Sequence, residues 1–212
     1  MKLRLAFLAL MLVGVAVLYW RSLEPIELTT EELSQLGVLQ LPTPIPIQGL
    51  QLVDADGLPV SEERFRGRWT LAFFGFTNCP HICPMSMQEL ASAYRAQSNG
   101  DEENHPRFQG AFVSVDPVRD TPRAVKEFLQ LIEPQFLGIT GELPKIEGFA
   151  RMMGISFHIP EVAAPDGNYM VDHDQVFVVV DPEARCAGYI KPTFNRAKIL
   201  RAFEAFTASE ET

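Results

Sequence analysis

Basic residues are in short supply along this chain. Lysine and arginine number 18 against 27 aspartates and glutamates in 212 residues, a formal charge of −9, and a surface of that sign argues against nucleic acid as a partner. Internal repeats and low-complexity tracts are missing too. With nearly half of its residues hydrophobic, the chain has enough apolar material for one full core plus an appendage. Cysteine is scarce, and none of the three lies near the N-terminus, which excludes lipidation there. Three is also an odd number. In an exported protein at least one thiol must stay unpaired or bind something.

The appendage is at the start. Lys2 and Arg4 precede an uncharged apolar stretch from Leu5 to Trp20, which Arg21 closes. As a helix it would cover about 24 Å, a little short of a hydrocarbon core of about 30 Å, the difference being met by snorkelling flanks or a thinned bilayer. Gly14-Val15-Ala16 offers a signal-peptidase site, but the apolar run continues past it and ends on the interfacial pair Tyr19-Trp20. Residues 1–21 are therefore expected to be a retained transmembrane anchor helix, with the basic flank in the cytoplasm. Residues 22–46 read as a tether. Thr29 and Glu32 fit a capping box on a short helix that Gly37 stops, and Pro42, Pro44 and Pro46 stiffen the approach to the domain. The domain is expected over 47–208, with 209–212 as a tail.

Within the domain, Leu50–Val53 and Leu58–Val60 flank a turn at Asp54-Ala-Asp-Gly57. Trp69–Phe76 and Gln109–Val115 read as buried strands, and Phe136–Ile139 as a shorter apolar stretch. Helices are expected from Pro84 to about Gln97, after Asp120-Thr121-Pro122, from about Leu143 to Met153, and over Arg196–Phe206. Gln175–Asp181 and Arg185–Lys191 make a hairpin. This order of strand, helix, strand, helix, hairpin and final helix is that of a thioredoxin-like α/β domain.

The chemistry centres on Thr77-Asn-Cys79-Pro-His-Ile-Cys83-Pro84, where the strand Trp69–Phe76 hands over to a helix. Unpaired N–H groups and the positive helix end favour a thiolate there, so both thiols are expected to ionise more easily than free cysteine. Disulfide exchange and binding of a thiophilic metal are both open. A redox dithiol of the thioredoxin kind has two residues between its cysteines; here there are three. The longer loop permits a disulfide but also lets two sulfurs face one metal at about 2.2–2.3 Å. A third ligand is then required. His173 stands two residues before the strand Gln175–Asp181, and if that strand runs antiparallel to Trp69–Phe76, its start lies beside the cysteines.

Four stretches in order, Phe74–Pro84, Val113–Pro122, Phe136–Gly141 and Val171–His173 with Val180-Asp-Pro182, resemble the Sco/SenC family. The resemblance runs from about Ile47 to Phe206. It implies a membrane-anchored, thioredoxin-like copper protein that helps build the binuclear copper centre of cytochrome c oxidase. Carried over by position, it implies copper ligands at Cys79, Cys83 and His173, one ion per chain. Two sulfurs with an imidazole suit Cu(I) and can also hold Cu(II). The expected partners are the copper-bearing subunit of cytochrome c oxidase, other periplasmic copper chaperones and thiol reductants. The expected place is the cytoplasmic membrane, crossed once, with the domain on the periplasmic side.

Several nearby residues have plainer readings. His81 is expected to be a solvent-facing loop residue, Met87 a core residue, and Met85 part of a face near the site. Asp120 is expected to belong to a helix start, Asp116 to assist the site electrostatically at most, and Asp172 not to orient its neighbour His173. Cys186 is expected in a turn, as a partly buried bystander that would form mixed disulfides if exposed. The function expected is that of a metallochaperone, its reduced thiols and His173 taking copper at an exposed loop and passing it by ligand exchange to an acceptor dithiol. The alternative is a thiol:disulfide oxidoreductase that uses Cys79 and Cys83 without a metal.

Overall fold

The structure is a computed structural model that describes residues 28–98, 107–160 and 169–207, together with Met11 and Gly14. The expected anchor helix and the tail lie outside these, apart from Met11 and Gly14. Among the described residues no helix is long and apolar enough to cross a membrane.

In chain order the elements are α1 (Thr30–Gln35), β1 (Val38–Pro46), β2 (Leu52–Asp54), β3 (Pro59–Val60), β4 (Trp69–Gly75), α2 (Ile82–Ser98), β5 (Phe108–Ser114), α3 (Pro122–Gln130), β6 (Leu137–Thr140), α4 (Leu143–Met152), β7 (Phe157–His158), β8 (Asp172–His173), β9 (Phe177–Val180), β10 (Arg185–Ile190) and α5 (Arg196–Thr207). Among the described residues, eight of the strands form one sheet in the order β1-β10-β9-β4-β5-β6-β2-β3, and β7 pairs with β8. Strands β4, β5 and β6 run parallel, while β9 runs antiparallel to β4 with Phe73 opposite Phe177. This is the element order expected of a thioredoxin-like domain.

Strand β4 is buried along its whole length. Its side chains alternate between two covered faces. Trp69 meets Phe203 and Phe206 of α5, whereas Phe74 meets Phe149 of α4 at 5.5 Å between ring centroids. A strand covered on both faces reads as a continuous apolar run rather than an alternating one. Its C-terminal end is thereby held rigidly where the chain leaves toward the cysteines.

Helix α1 starts as expected, with Thr29 and Glu32 closing a capping box. The proline-containing stretch after it differs from expectation. Val38–Pro46 is not a free tether but an edge strand of the sheet, paired with β10 from Val38 opposite Ile190 to Gln40 opposite Gly188, and again at Ile45 and Pro46. Between them the register shifts, and Pro42 and Pro44 sit in that bulge on the open edge, where a missing N–H costs no ladder bond. Gly188 makes the pairing possible, since a Cβ there would stand 2.2 Å from the Leu39 carbonyl oxygen. Helix α2 begins at Ile82, two residues earlier than Pro84 suggested, so Cys83 lies inside its first turn.

Candidate metal centre

The two thiols are placed by the end of β4 and the start of α2. After Gly75 the chain turns, with the Cys79 N–H donating to the Phe76 carbonyl at 3.2 Å. The Cys83 N–H then donates to the Cys79 sulfur at 3.4 Å, so a thiol serves one of the amides that a helix start leaves without an intrahelical partner. Because β9 runs antiparallel to β4, it begins beside this end, and the segment leading into it lies here. The two-residue strand β8, with Phe157 opposite His173, then turns the imidazole inward. Cys83 Sγ and His173 Nε2 come to 3.5 Å.

The imidazole is held in one orientation. Its Nδ1 lies 3.0 Å from the Asp174 carbonyl oxygen. A carbonyl only accepts, so Nδ1 carries the proton and Nε2 presents its lone pair to Cys83. Phe73 and Phe76 meet the ring edge to face at 5.8 and 5.9 Å. Burial lowers the His173 pKa from its ordinary value, which keeps the ring neutral at neutral pH.

Cys83 departs from the expectation of an easily ionised thiol. It is fully buried, and burial pushes its pKa far above the usual thiol range. Loss of solvent outweighs the helix dipole because a thiolate at that depth gives up its hydration, whereas the end of a helix offers only a fraction of a charge. Cys79 is buried as well, at 6% exposure. The centre is therefore not an exposed loop. Its cover, with Asn78, Pro80, His81 and Met85, faces solvent.

The donor set fits a soft metal. With a metal–sulfur distance of about 2.3 Å and a metal–nitrogen distance of about 2.0 Å, two donors at 110–120° stand roughly 3.5–3.7 Å apart, the separation found between Cys83 and His173. Cys79 is turned instead toward the Cys83 amide. Among the described residues no group of three histidines, cysteines or acids is gathered closely enough to hold an ion as it stands. Completing the set requires the Cys79 sulfur to leave the Cys83 amide. All three cysteines are unpaired.

The other candidates fall into place. His81 is exposed, Met87 is in the core, and Met85 is 49% exposed on the first turns of α2. Asp172 points to solvent on the opposite side of β8 from His173, and the group that orients the ring is the Asp174 carbonyl. Cys186 is corrected on two counts. It lies within β10 rather than in a turn, and it is fully rather than partly buried. Asp120 is corrected too: Thr121 caps α3, accepting from the Ala124 N–H, while the Asp120 carboxylate turns away to the cysteine loop. Two acids and an arginine at short spacing after a buried strand, in Asp116-Pro-Val-Arg119-Asp120, are the sign in the sequence that could have pointed to that role.

The chain is 33% identical over 159 residues to a protein of Stutzerimonas stutzeri named as a candidate copper-binding protein, covering 75% of this chain and 76% of that one. It is 31% identical over 164 residues to the mitochondrial protein SCO2 of Saccharomyces cerevisiae, covering 76% of this chain and 54% of the relative, so it spans about half the length of that protein. The crystal structure of Arabidopsis thaliana ScoI with copper bound superposes with a TM-score of 0.67 at 28% identity, covering 80% of this chain and 98% of that one. The family model described as SCO1/SenC matches residues 46–208. The chain belongs to the SCO1/SenC family.

Proposed function

We propose that Cys79, Cys83 and His173 bind one copper ion per chain, and that the protein delivers it to the binuclear copper centre of cytochrome c oxidase. In this reading residues 1–21 anchor the protein in the cytoplasmic membrane, and the folded part, which begins with the edge strand at Val38, forms the copper-binding domain on the periplasmic side. The partners are the copper-bearing oxidase subunit, other periplasmic copper chaperones and thiol reductants. The observation that carries the reading is the 3.5 Å approach of His173 Nε2, lone pair inward, to the Cys83 sulfur. Copper is cargo here, a soft ion that two sulfurs and an imidazole hold in either oxidation state.

The chain's own groups suggest an order of events. Cys83 and His173 are already in contact and buried, so they form the fixed half of the site. Cys79 lies nearer the surface and only has to leave the Cys83 N–H, so it is the ligand that joins last and lets go first. An acceptor thiol would displace Cys79, after which the remaining ligands exchange in turn.

The alternative, a thiol:disulfide oxidoreductase, uses the same pair. Burial, which pushes the Cys83 thiol well above the ordinary range, removes Cys83 as the attacking thiolate and leaves that role in this alternative to the outer Cys79. The deciding test is an anaerobic copper titration of the fully reduced protein beside His173→Ala. One tightly held ion that depends on His173 supports the copper reading; weak binding indifferent to His173 leaves the oxidoreductase.

A further inference from the structure

The segment between β5 and α3, Val115–Thr121, lies behind both halves of the centre, and its two acids serve different halves. Asp120 serves the cysteines. Its carboxylate is fully buried and accepts from the Thr77 N–H at 2.9 Å, the Thr77 hydroxyl at 2.6 Å and the Ser114 hydroxyl at 2.6 Å. Thr77 is two residues ahead of Cys79, in the turn that carries the chain off β4. Asp120 is itself fixed, its N–H donating to the Asp116 carbonyl and its carbonyl accepting from the Thr140 hydroxyl, both at 2.9 Å.

Asp116 serves the histidine. Also fully buried, it accepts from the Tyr169 hydroxyl at 2.6 Å and forms an ion pair with Arg119. Arg119 Nη1 donates to the Tyr169 carbonyl at 3.0 Å, and the guanidinium lies 3.6 Å from the centre of the Tyr169 ring. Tyr169 is thus gripped by main chain, ring face and hydroxyl at once, four residues before His173. On its other side the guanidinium lies 5.5 Å from the ring of Phe76, which in turn meets His173.

The histidine half has need of such a grip. Strand β8 is two residues long and, among the described residues, pairs only with the two-residue β7. A ladder that short specifies register weakly. Charge-assisted hydrogen bonds from a buried carboxylate and a stacked guanidinium are much stronger ties.

We propose that Val115–Thr121 is a two-armed positioning device for the centre: Asp120 through Thr77 sets the cysteines, and Asp116 with Arg119 through Tyr169 sets His173. One segment that supplies no ligand thereby determines how the sulfurs and the imidazole nitrogen meet. The proposal rests on the copper reading for its purpose, but each arm can be read without metal.

The test uses the full chain in detergent, metal-free and reduced, as wild type, Thr77→Val and Tyr169→Phe. Each variant deletes one hydroxyl and keeps the shape, and far-UV circular dichroism checks the fold. Two signals are followed: the rate at which oxidised glutathione converts Cys79 and Cys83 to a disulfide, releasing two reduced glutathiones, and the nitrogen NMR shifts of the His173 ring before oxidation. Thr77→Val, which acts on the turn that carries Cys79, is expected to change the rate by about threefold to tenfold while leaving the His173 Nδ1 shift, set by the Asp174 carbonyl, in place. Tyr169→Phe is expected to do the reverse. If either variant moves both signals together, or neither variant moves its own, the two-armed device is overturned. A separated response in a protein that fails to retain copper would uphold the device and remove the copper reading. Unseparated signals in a protein that holds copper would do the opposite.

Discussion

His173 and Asp174 are neighbours in sequence, and the carbonyl of the second, 3.0 Å from Nδ1 of the first, decides which ring nitrogen faces the thiols. With Nδ1 spent on the main chain, Nε2 is committed to the centre. His173→Ala removes that donor and little else, because Phe73 and Phe76 keep their other ring neighbours or strand context. Competition against a copper chelator should show affinity reduced by about 100-fold or more, since loss of a group that merely orients a ligand already costs 10–100-fold. Unfolding should be shifted by no more than about 1–2 kcal/mol. Unchanged copper retention would take His173 out of the centre.

Gly75 offers a way to disturb the fixed half without touching a ligand. A Cβ at this position would stand 3.0 Å from Cys83 Sγ and from Phe73 Cε1, and 3.2 Å from Phe112 Cε2. Two rigid rings confine it, so the sulfur is what must give. Gly75→Ala should lower stability by about 1–3 kcal/mol through overpacking, read as a shift in the urea midpoint. It should also weaken copper retention by roughly tenfold, or about 1.4 kcal/mol. A stability loss with copper binding untouched would mean that the strand does not constrain the Cys83 thiol.

Much of this arrangement is legible in the residues. The buried run Trp69–Phe76, the hairpin after Gln175 and the antiparallel pairing between them are enough to bring His173 to the cysteines, and Phe73 does stand opposite Phe177. The rest depends on surroundings that a local pattern does not carry. Val38–Pro46 has no buried residue and three prolines, so nothing in it alternates; it becomes a strand because β10 leaves an edge to be paired and Gly188 lets it approach. The place of Cys83 at a helix start points to an easily ionised thiol, whereas its ionisation is decided by depth, with Gly75 and His173 set directly against the sulfur. Asp120 stands next to a helix cap and looks like part of it in the sequence. Its partners, Thr77 and Ser114, lie 43 and 6 residues away, and only the parallel pairing of β4 with β5 makes them adjacent.

Acidity should oppose copper uptake. Burial holds the Cys83 thiol above the ordinary value, so at neutral pH it carries its proton, and a bound metal must displace it. His173 is shifted the other way and is already neutral, so it adds no competing proton except in the acid range. Affinity should therefore rise with pH from about pH 6 and keep rising past about 8.5, where competition from an unperturbed thiol would level off. Calorimetric titrations in buffers of different ionisation enthalpy would count the protons released. A flat affinity over that interval, with no proton release, would contradict a protonated Cys83.

Cys186 separates a structural thiol from the two at the centre. It is fully buried in β10 opposite Val180, which pairs with Thr70 near the start of β4, whereas Cys79 and Cys83 come after that strand's other end. Burial raises its pKa, so both access and ionisation protect it from alkylation. Iodoacetamide applied to the native reduced protein should leave Cys186 unmodified by mass spectrometry, and label it once urea has unfolded the chain. Cys186→Ala should cost about 1–2 kcal/mol of stability, the loss expected for a small buried side chain, and leave copper binding unchanged. Rapid labelling of Cys186 in the folded protein would show that β1 and β10 part readily at this point, and that the proline-bearing edge strand is held far more loosely than its pairing implies.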